Sequence, residues 1–286
     1  MKKPQWIVAG CALLLTVLLY ATTKPQLFGN HPKAVSAQQQ SEAAASETGI
    51  VTDDSILLHA KEHLTPPQAQ KLNEIENGIS RGNVLAQKTS AYRTLARFWA
   101  DSMHLFEPYA LYTAEAARLE NFEKSLTFAA HLFLDNLRRE ETPELKRWKA
   151  EQAKDLFERS LKLNPANDSS KVGLGAVYLY GSLASPMEGI MKIREVAERD
   201  PNNIYAQLTL GQASIISGQL DKAIPRFEAV VKMQPQNVEA ILSLAEVFER
   251  KGANASAVEW YKKSLLLVKL PEMKTEIEKR ITELSK

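Results

Sequence analysis

The chain has 286 residues, 44% hydrophobic and 24% charged, with a formal net charge of +2. That is ample apolar material for a sizeable core, and the charge is too small to imply a nucleic acid or an acidic substrate as partner. The single cysteine, Cys11, lies in an apolar N-terminal stretch, which excludes disulfides and thiolate metal sites from the rest of the chain.

Residues 6–21 (WIVAGCALLLTVLLYA) form an uncharged apolar run with Lys2 and Lys3 before it and Lys24 after it. As a helix it covers roughly 24 Å, a little short of a ~30 Å hydrocarbon core, and Trp6 and Tyr20 mark its two ends. The reading preferred for residues 1–21 is an uncleaved signal anchor. A cleaved signal peptide is the alternative, but the small residues of Val35-Ser36-Ala37 lie far downstream. A lipoprotein is the third reading: Val8-Ala9-Gly10-Cys11 has the residue types of a lipobox, but only Trp6 and Ile7 precede it as apolar residues. With a short N-terminal tail inside, the remainder is exported, giving a single-pass bacterial inner-membrane protein with its soluble part in the periplasm. Residues 22–52, rich in Ser, Ala, Gln and Glu, read as a flexible linker.

Residues 53–119 read as a degenerate helical region. A short helix at about 54–64 is amphipathic through Ile56, Leu57, Ala60 and Leu64, and Pro66-Pro67 ends it. It carries His59-Ala60-Lys61-Glu62-His63, the H-x-x-E-H pattern that can present two histidines to one zinc. A zinc enzyme also needs a third ligand and a cleft, so the histidines read as the polar flank of the helix. Residues 84–102 and 105–119 read as an antiparallel pair burying Tyr92, Leu95, Phe98 and Trp99.

Residues 120–270 carry a repeat. Offsetting the chain by 34 residues matches Leu210 with Leu244, Gly211 with Ala245, Ala223 with Ala257 and Phe227 with Tyr261. In residues 204–237, Gly218 breaks a first helix, Ala223, Phe227 and Val230 run down a second, and Pro235 ends it. Gly211 and Ala223 are the small residues that let the two helices approach. Residues 168–203 repeat the plan through Leu174, Gly175 and Tyr178, then Gly189, Ile193, Val196 and Pro201, with a turn about two residues longer (GSLASP). Ala153, Phe157, Ser160 and Pro165 repeat the second-helix signature, with a partner helix at about 121–139 across the ETPE turn. Residues 271–286 form a charged helix with Ile277, Ile281 and Leu284 on one stripe, suited to capping an exposed apolar end.

This pattern resembles the tetratricopeptide repeat. The resemblance implies an all-α, right-handed superhelical solenoid of antiparallel helix pairs, preceded here by one transmembrane helix. It also implies a non-enzymatic scaffold without cofactor or metal that binds a protein or peptide in its concave groove. Carried over residue by residue, the groove would present Val172, Ala176, Leu179 and Tyr180, then Tyr205, Leu208, Gln212 and Ile215, then Glu239, Leu242, Glu246 and Glu249. It passes from apolar and aromatic to acidic, so the implied ligand is a segment with apolar anchors and a basic end. The basic clamp by which chaperone-binding relatives take a C-terminal carboxylate is absent, since Val172, Leu208 and Leu242 occupy its positions.

One anchor followed by such repeats also resembles bacterial cytochrome c maturation accessory proteins, which hold the C-terminal helix of an unfolded apocytochrome. Envelope assembly or secretion scaffolding fits the same plan. Self-association through residues 53–102 is the alternative function. No catalytic motif stands out: Gly173-Leu174-Gly175 lacks the third glycine and preceding strand of a dinucleotide loop, and His104 and His131 are isolated. Trp99, Trp148 and Trp260 read as packing residues.

Overall fold

The computed structural model describes residues 50–81, 85–183 and 185–286. The expected span at 6–21 and almost all of the linker at 22–52 lie outside them, and none of the described helices is long and apolar enough to cross a membrane. Every regular element among the described residues is helical.

The chain enters through α1 (Asp53–Glu62), whose start is fixed by a capping box: Thr52 accepts from the Ser55 N–H while the Ser55 side chain bonds back to the Thr52 backbone. Pro66-Pro67 does follow α1, but it also opens a further helix, α2 (Pro66–Arg81), that was not foreseen. The start is logical in hindsight. Proline suits the first helical turn, and the Gln68 side chain accepts the Thr65 N–H at 2.9 Å, closing half of a second capping box. Helix α3 (Leu85–Arg97) runs into a π-helical turn (Phe98–Ser102) and packs antiparallel on α4 (Phe106–Glu120). Leu95, Phe98 and Trp99 are buried there and Tyr92 is half-buried, as the pattern required.

Four hairpins follow: α5 (Glu123–Leu137) with α6 (Pro143–Leu163), α7 (Asp168–Tyr180) with α8 (Pro186–Arg199), α9 (Ile204–Ile216) with α10 (Leu220–Met233), and α11 (Val238–Arg250) with α12 (Asn254–Leu265). The joints between them are made the same way three times. Each repeat proline is followed, two residues on, by an asparagine whose side chain accepts the N–H three residues further along: Asn167 from Ser170 (2.9 Å), Asn203 from Ala206 (3.0 Å) and Asn237 from Ala240 (2.9 Å). Asparagine is among the best N-caps, so a Pro-x-Asn joint stops one helix and starts the next within three residues.

Inside the hairpins the small residues fall where space runs out. A Cβ on Gly175 would come within 2.7 Å of the Gly189 carbonyl oxygen, so α7 and α8 meet backbone to backbone. Gly211 serves a ring instead of a backbone, since a Cβ there would lie 2.5 Å from the Phe227 ring. Phe157, Ile193 and Phe227 are wholly enclosed, and the apolar core continues from hairpin to hairpin. Between α7 and α8 the connection is residues 181–185, five residues, against three between α9 and α10, which is the two-residue enlargement expected from the spacing.

The two ends are closed differently. Helix α13 (Pro271–Leu284) buries Ile277 against the last hairpin. At the other end Lys149 is almost fully enclosed between Glu107 (2.8 Å) and Glu140 (2.5 Å), a charge removed from water but answered twice.

Candidate functional groove

The first helices of the four hairpins, α5, α7, α9 and α11, wall one groove. Its narrow part, about 70 Å³, is lined by Ala176 and Tyr180 of α7, Tyr205, Leu208 and Gln212 of α9, and Glu239 of α11, facing His131, Asp135 and Arg138 of α5. It opens past Asp135, Arg138 and Glu239 into a wider cavity of about 620 Å³, where Phe106, Leu132, Asn136 and Arg139 form the wall.

One groove-lining position repeats. His131, Ala176 and Gln212 are each the ninth residue of their helix, counting from Glu123, Asp168 and Ile204. The α5 members were missed because α6 is 21 residues long, against 14 for α8 and α10, so counting back from Pro165 loses the register of α5. Counting forward from the start of α5 recovers it.

Of the other residues assigned to the groove, two are enclosed in the core. Val172 is enclosed among Ile193, Val196, Ala206 and Leu210, and Ile215 is enclosed against Ala223 and Phe227. Leu179 and Leu242 are half-buried. The three carboxylates of α11 are all paired within the chain. Glu239 faces Arg138 at 3.7 Å, Glu246 pairs with Arg250 at 2.6 Å, and Glu249 accepts from Arg280 Nε at 3.0 Å and from the Tyr261 hydroxyl at 2.9 Å. The acidic stretch read from the sequence is thus largely answered by internal cations.

The floor is aromatic and polar together. The His131 ring meets Phe157 edge-on at 5.0 Å and Tyr205 at 5.5 Å, and its Nε2 lies 2.8 Å from the Ser169 hydroxyl. Burial lowers the His131 pKa, with the Asp135 carboxylate pulling the other way. Burial likewise raises the Tyr205 phenol, with Asp135 adding to it, so Tyr205 stays neutral. Arg138 lies over the Tyr180 ring, 5.5 Å from its centre. Gln212 donates to the Ser243 hydroxyl at 2.9 Å, fixing α9 against α11.

His59 and His63 sit on the last turn of α1, rings 5.1 Å apart and edge-on, with His59 Nδ1 3.2 Å from Glu62. Both are exposed, and no group of three or more His, Cys, Asp or Glu side chains suited to a metal ion occurs among the described residues. They are the polar flank of the helix.

Residues 208–270 match the tetratricopeptide-repeat family. No curated protein is matched by the sequence. Among solved structures, PilW, a widely conserved type IV pilus biogenesis factor, is similar at 19% identity over 68% of this chain and 85% of PilW, with a TM-score of 0.51; this is a likeness of fold. MamA of Desulfovibrio magneticus RS-1 is 23% identical over 64% of this chain and 97% of its own, at a TM-score of 0.45. YrrB, a tetratricopeptide-repeat protein with an unusual peptide-binding site, is 19% identical over 66% of this chain and 91% of its own, at 0.41. The family match covers residues 208–270, and the Pro-x-Asn joints and glycine-to-aromatic contacts extend the same helix-pair plan upstream of it.

Proposed function

We propose that this protein is a non-enzymatic scaffold that holds an apolar segment of a partner protein in the groove walled by α5, α7, α9 and α11. The observation that carries the reading is the lining of the groove by three half-buried apolar and aromatic side chains, Tyr180, Tyr205 and Leu208, beside charged groups that can set direction. The apolar run at residues 6–21 would tether the scaffold to a bacterial inner membrane with the groove on the periplasmic side, across the linker at 22–52. In that setting the partner is a client of envelope assembly, and an apocytochrome awaiting haem is one such client.

The test is photocrosslinking from Leu208 or Tyr205 in the full chain in membranes, with Met191, exposed on α8, as the control position. The expected result is a crosslink at Leu208 and not at Met191, mapping to one apolar segment of the captured protein. Capture of only a second copy would transfer the reading to self-association. Equal capture from both positions would remove the groove from the argument.

A further inference from the structure

The charged pair at the waist of the groove is unusual in its geometry. Arg138 is held over the Tyr180 ring, yet its closest carboxylate, Glu239, stands 3.7 Å away, beyond hydrogen-bond length. Among the described residues no carboxylate comes within hydrogen-bond length of its guanidinium, although a planar fork of five donors is suited to a bidentate carboxylate. Both partners are more than two-fifths exposed, at 42% and 47%, so the pair is weak and water competes for it. Arg139, next along and lining the wider cavity, has no ion pair among the described residues. The cavity is formally balanced, with Arg138 and Arg139 against Asp135 and Glu239.

We infer that Glu239 is a placeholder at Arg138, and that the groove's ligand carries a carboxylate which enters at Arg139 and displaces Glu239 from Arg138 while its apolar residues lie on Tyr205 and Leu208. This deepens the groove reading above and rests on it. It reverses one expectation from the sequence, because the glutamate of α11 then opposes the ligand's charge instead of attracting a basic end. The site differs from the basic clamp positions considered above, since both arginines come from the end of α5 and the clamp positions remain Val172, Leu208 and Leu242. The carboxylate can come from an acidic side chain or a chain terminus, and the probes separate the two.

The probes are short fluorescein-labelled peptides of Leu, Ala and Phe. One carries a single Glu, a second Gln and a third Lys at that position, all with an amidated C-terminus; a fourth is the Gln peptide with a free C-terminus. Fluorescence anisotropy on the full chain in detergent reads binding. The Glu probe, or the free-terminus probe, is expected to bind more tightly than the amidated Gln and Lys probes. Glu239→Gln should tighten that binding by about two- to fivefold, and Arg138→Gln or Arg139→Gln should weaken it by a similar factor. Thermal melts of the three variants that match wild type show that the effect is not one of folding. Preference for the Lys probe, or weakening by Glu239→Gln, overturns the inference. Equal binding of all four probes also overturns it but leaves the groove in place. Absence of binding by every probe, together with no crosslink from Leu208, removes the groove reading as well.

Discussion

The indole N–H of Trp148 donates to Asp53 Oδ1 at 2.7 Å, joining residues 95 apart in the chain, and Gln152 Nε2 donates to the same oxygen at 2.8 Å. One carboxylate at the start of α1 thus holds the N-terminal helix against α6. Asp53→Ala leaves the buried indole donor without an acceptor and should cost about 1–3 kcal/mol of stability. Urea denaturation followed by tryptophan fluorescence checks this, with limited proteolysis between Asp53 and Arg81 as the local readout. An unchanged midpoint and unchanged cleavage would show that α1 is held by its apolar face alone.

Gly211 and Gly218 are both glycines at the same hairpin, but for different reasons. At Gly211 the obstacle is the Phe227 ring, so Gly211→Ala forces a fully enclosed aromatic to move and should cost about 1–3 kcal/mol. At Gly218 there is open space, but φ is +71°, so Gly218→Ala should cost only about 1 kcal/mol of backbone strain. Replacing Phe227 with Leu should relieve part of the first penalty and none of the second. A double-mutant cycle in chemical denaturation measures the difference, and additivity of Gly211→Ala with Phe227→Leu would count against the steric account.

Docking of the last helix should depend on pH. Hydrogen bonds from Arg280 hold the Glu249 carboxyl below its ordinary range, against the opposing effect of burial. On the other side, burial and Glu249 together push the Tyr261 phenol up to about 12. Because the folded pKa of Glu249 lies below its unfolded value, its contribution is fully present above the unfolded value and is lost as pH falls through the folded one. Relative to the intrinsic exchange rate at each pH, protection across Pro271–Leu284 should fall selectively on acidification. In Glu249→Gln protection there should already be low at neutral pH. Identical profiles for the two proteins would remove the pair from the account of how the end is capped.

His131 gives a second pH dependence, in a higher window. Its folded pKa is lowered by burial from the ordinary 6.5, so the unfolded chain takes up a proton before the folded one does. Stability is therefore flat above the ordinary value and falls as pH drops below it toward the folded pKa. His131→Gln should flatten that slope while retaining a partner for Ser169. Urea midpoints of both proteins from neutral to mildly acidic pH decide the matter, and equal slopes would assign the effect to other groups.

What could be read from the sequence was set by how locally each feature is encoded. The hairpins ending at Pro165, Pro201 and Pro235 were legible because Gly211, Ala223 and Phe227 and their counterparts recur at fixed offsets, and each offset answers to one steric contact. The start of α2 was hidden because Pro66-Pro67 stops one helix and opens another, and only the Thr65–Gln68 contact distinguishes the two roles. Arg138 and Arg139 escaped attention because the length of α6 shifts the signature away from α5. Transferring family positions names a face of a helix, and burial of Val172 and Ile215 is then decided by how closely the next hairpin lies.

The joint between the first two of the four hairpins has a triad of hydroxyls at its centre. Three hydroxyls, Thr127 of α5, Ser160 of α6 and Ser170 of α7, lie within 2.8–2.9 Å of one another, and Asn167, the cap of α7, donates to Thr127 as well. An array of similar hairpins is prone to docking the wrong neighbour, whether from its own chain or from another copy, because one apolar face resembles the next. A hydroxyl triad mates only with a surface that returns its hydrogen bonds, and an apolar face placed against it strands them. The hydroxyl triad therefore favours this pairing of hairpins over one that sets an apolar face against it.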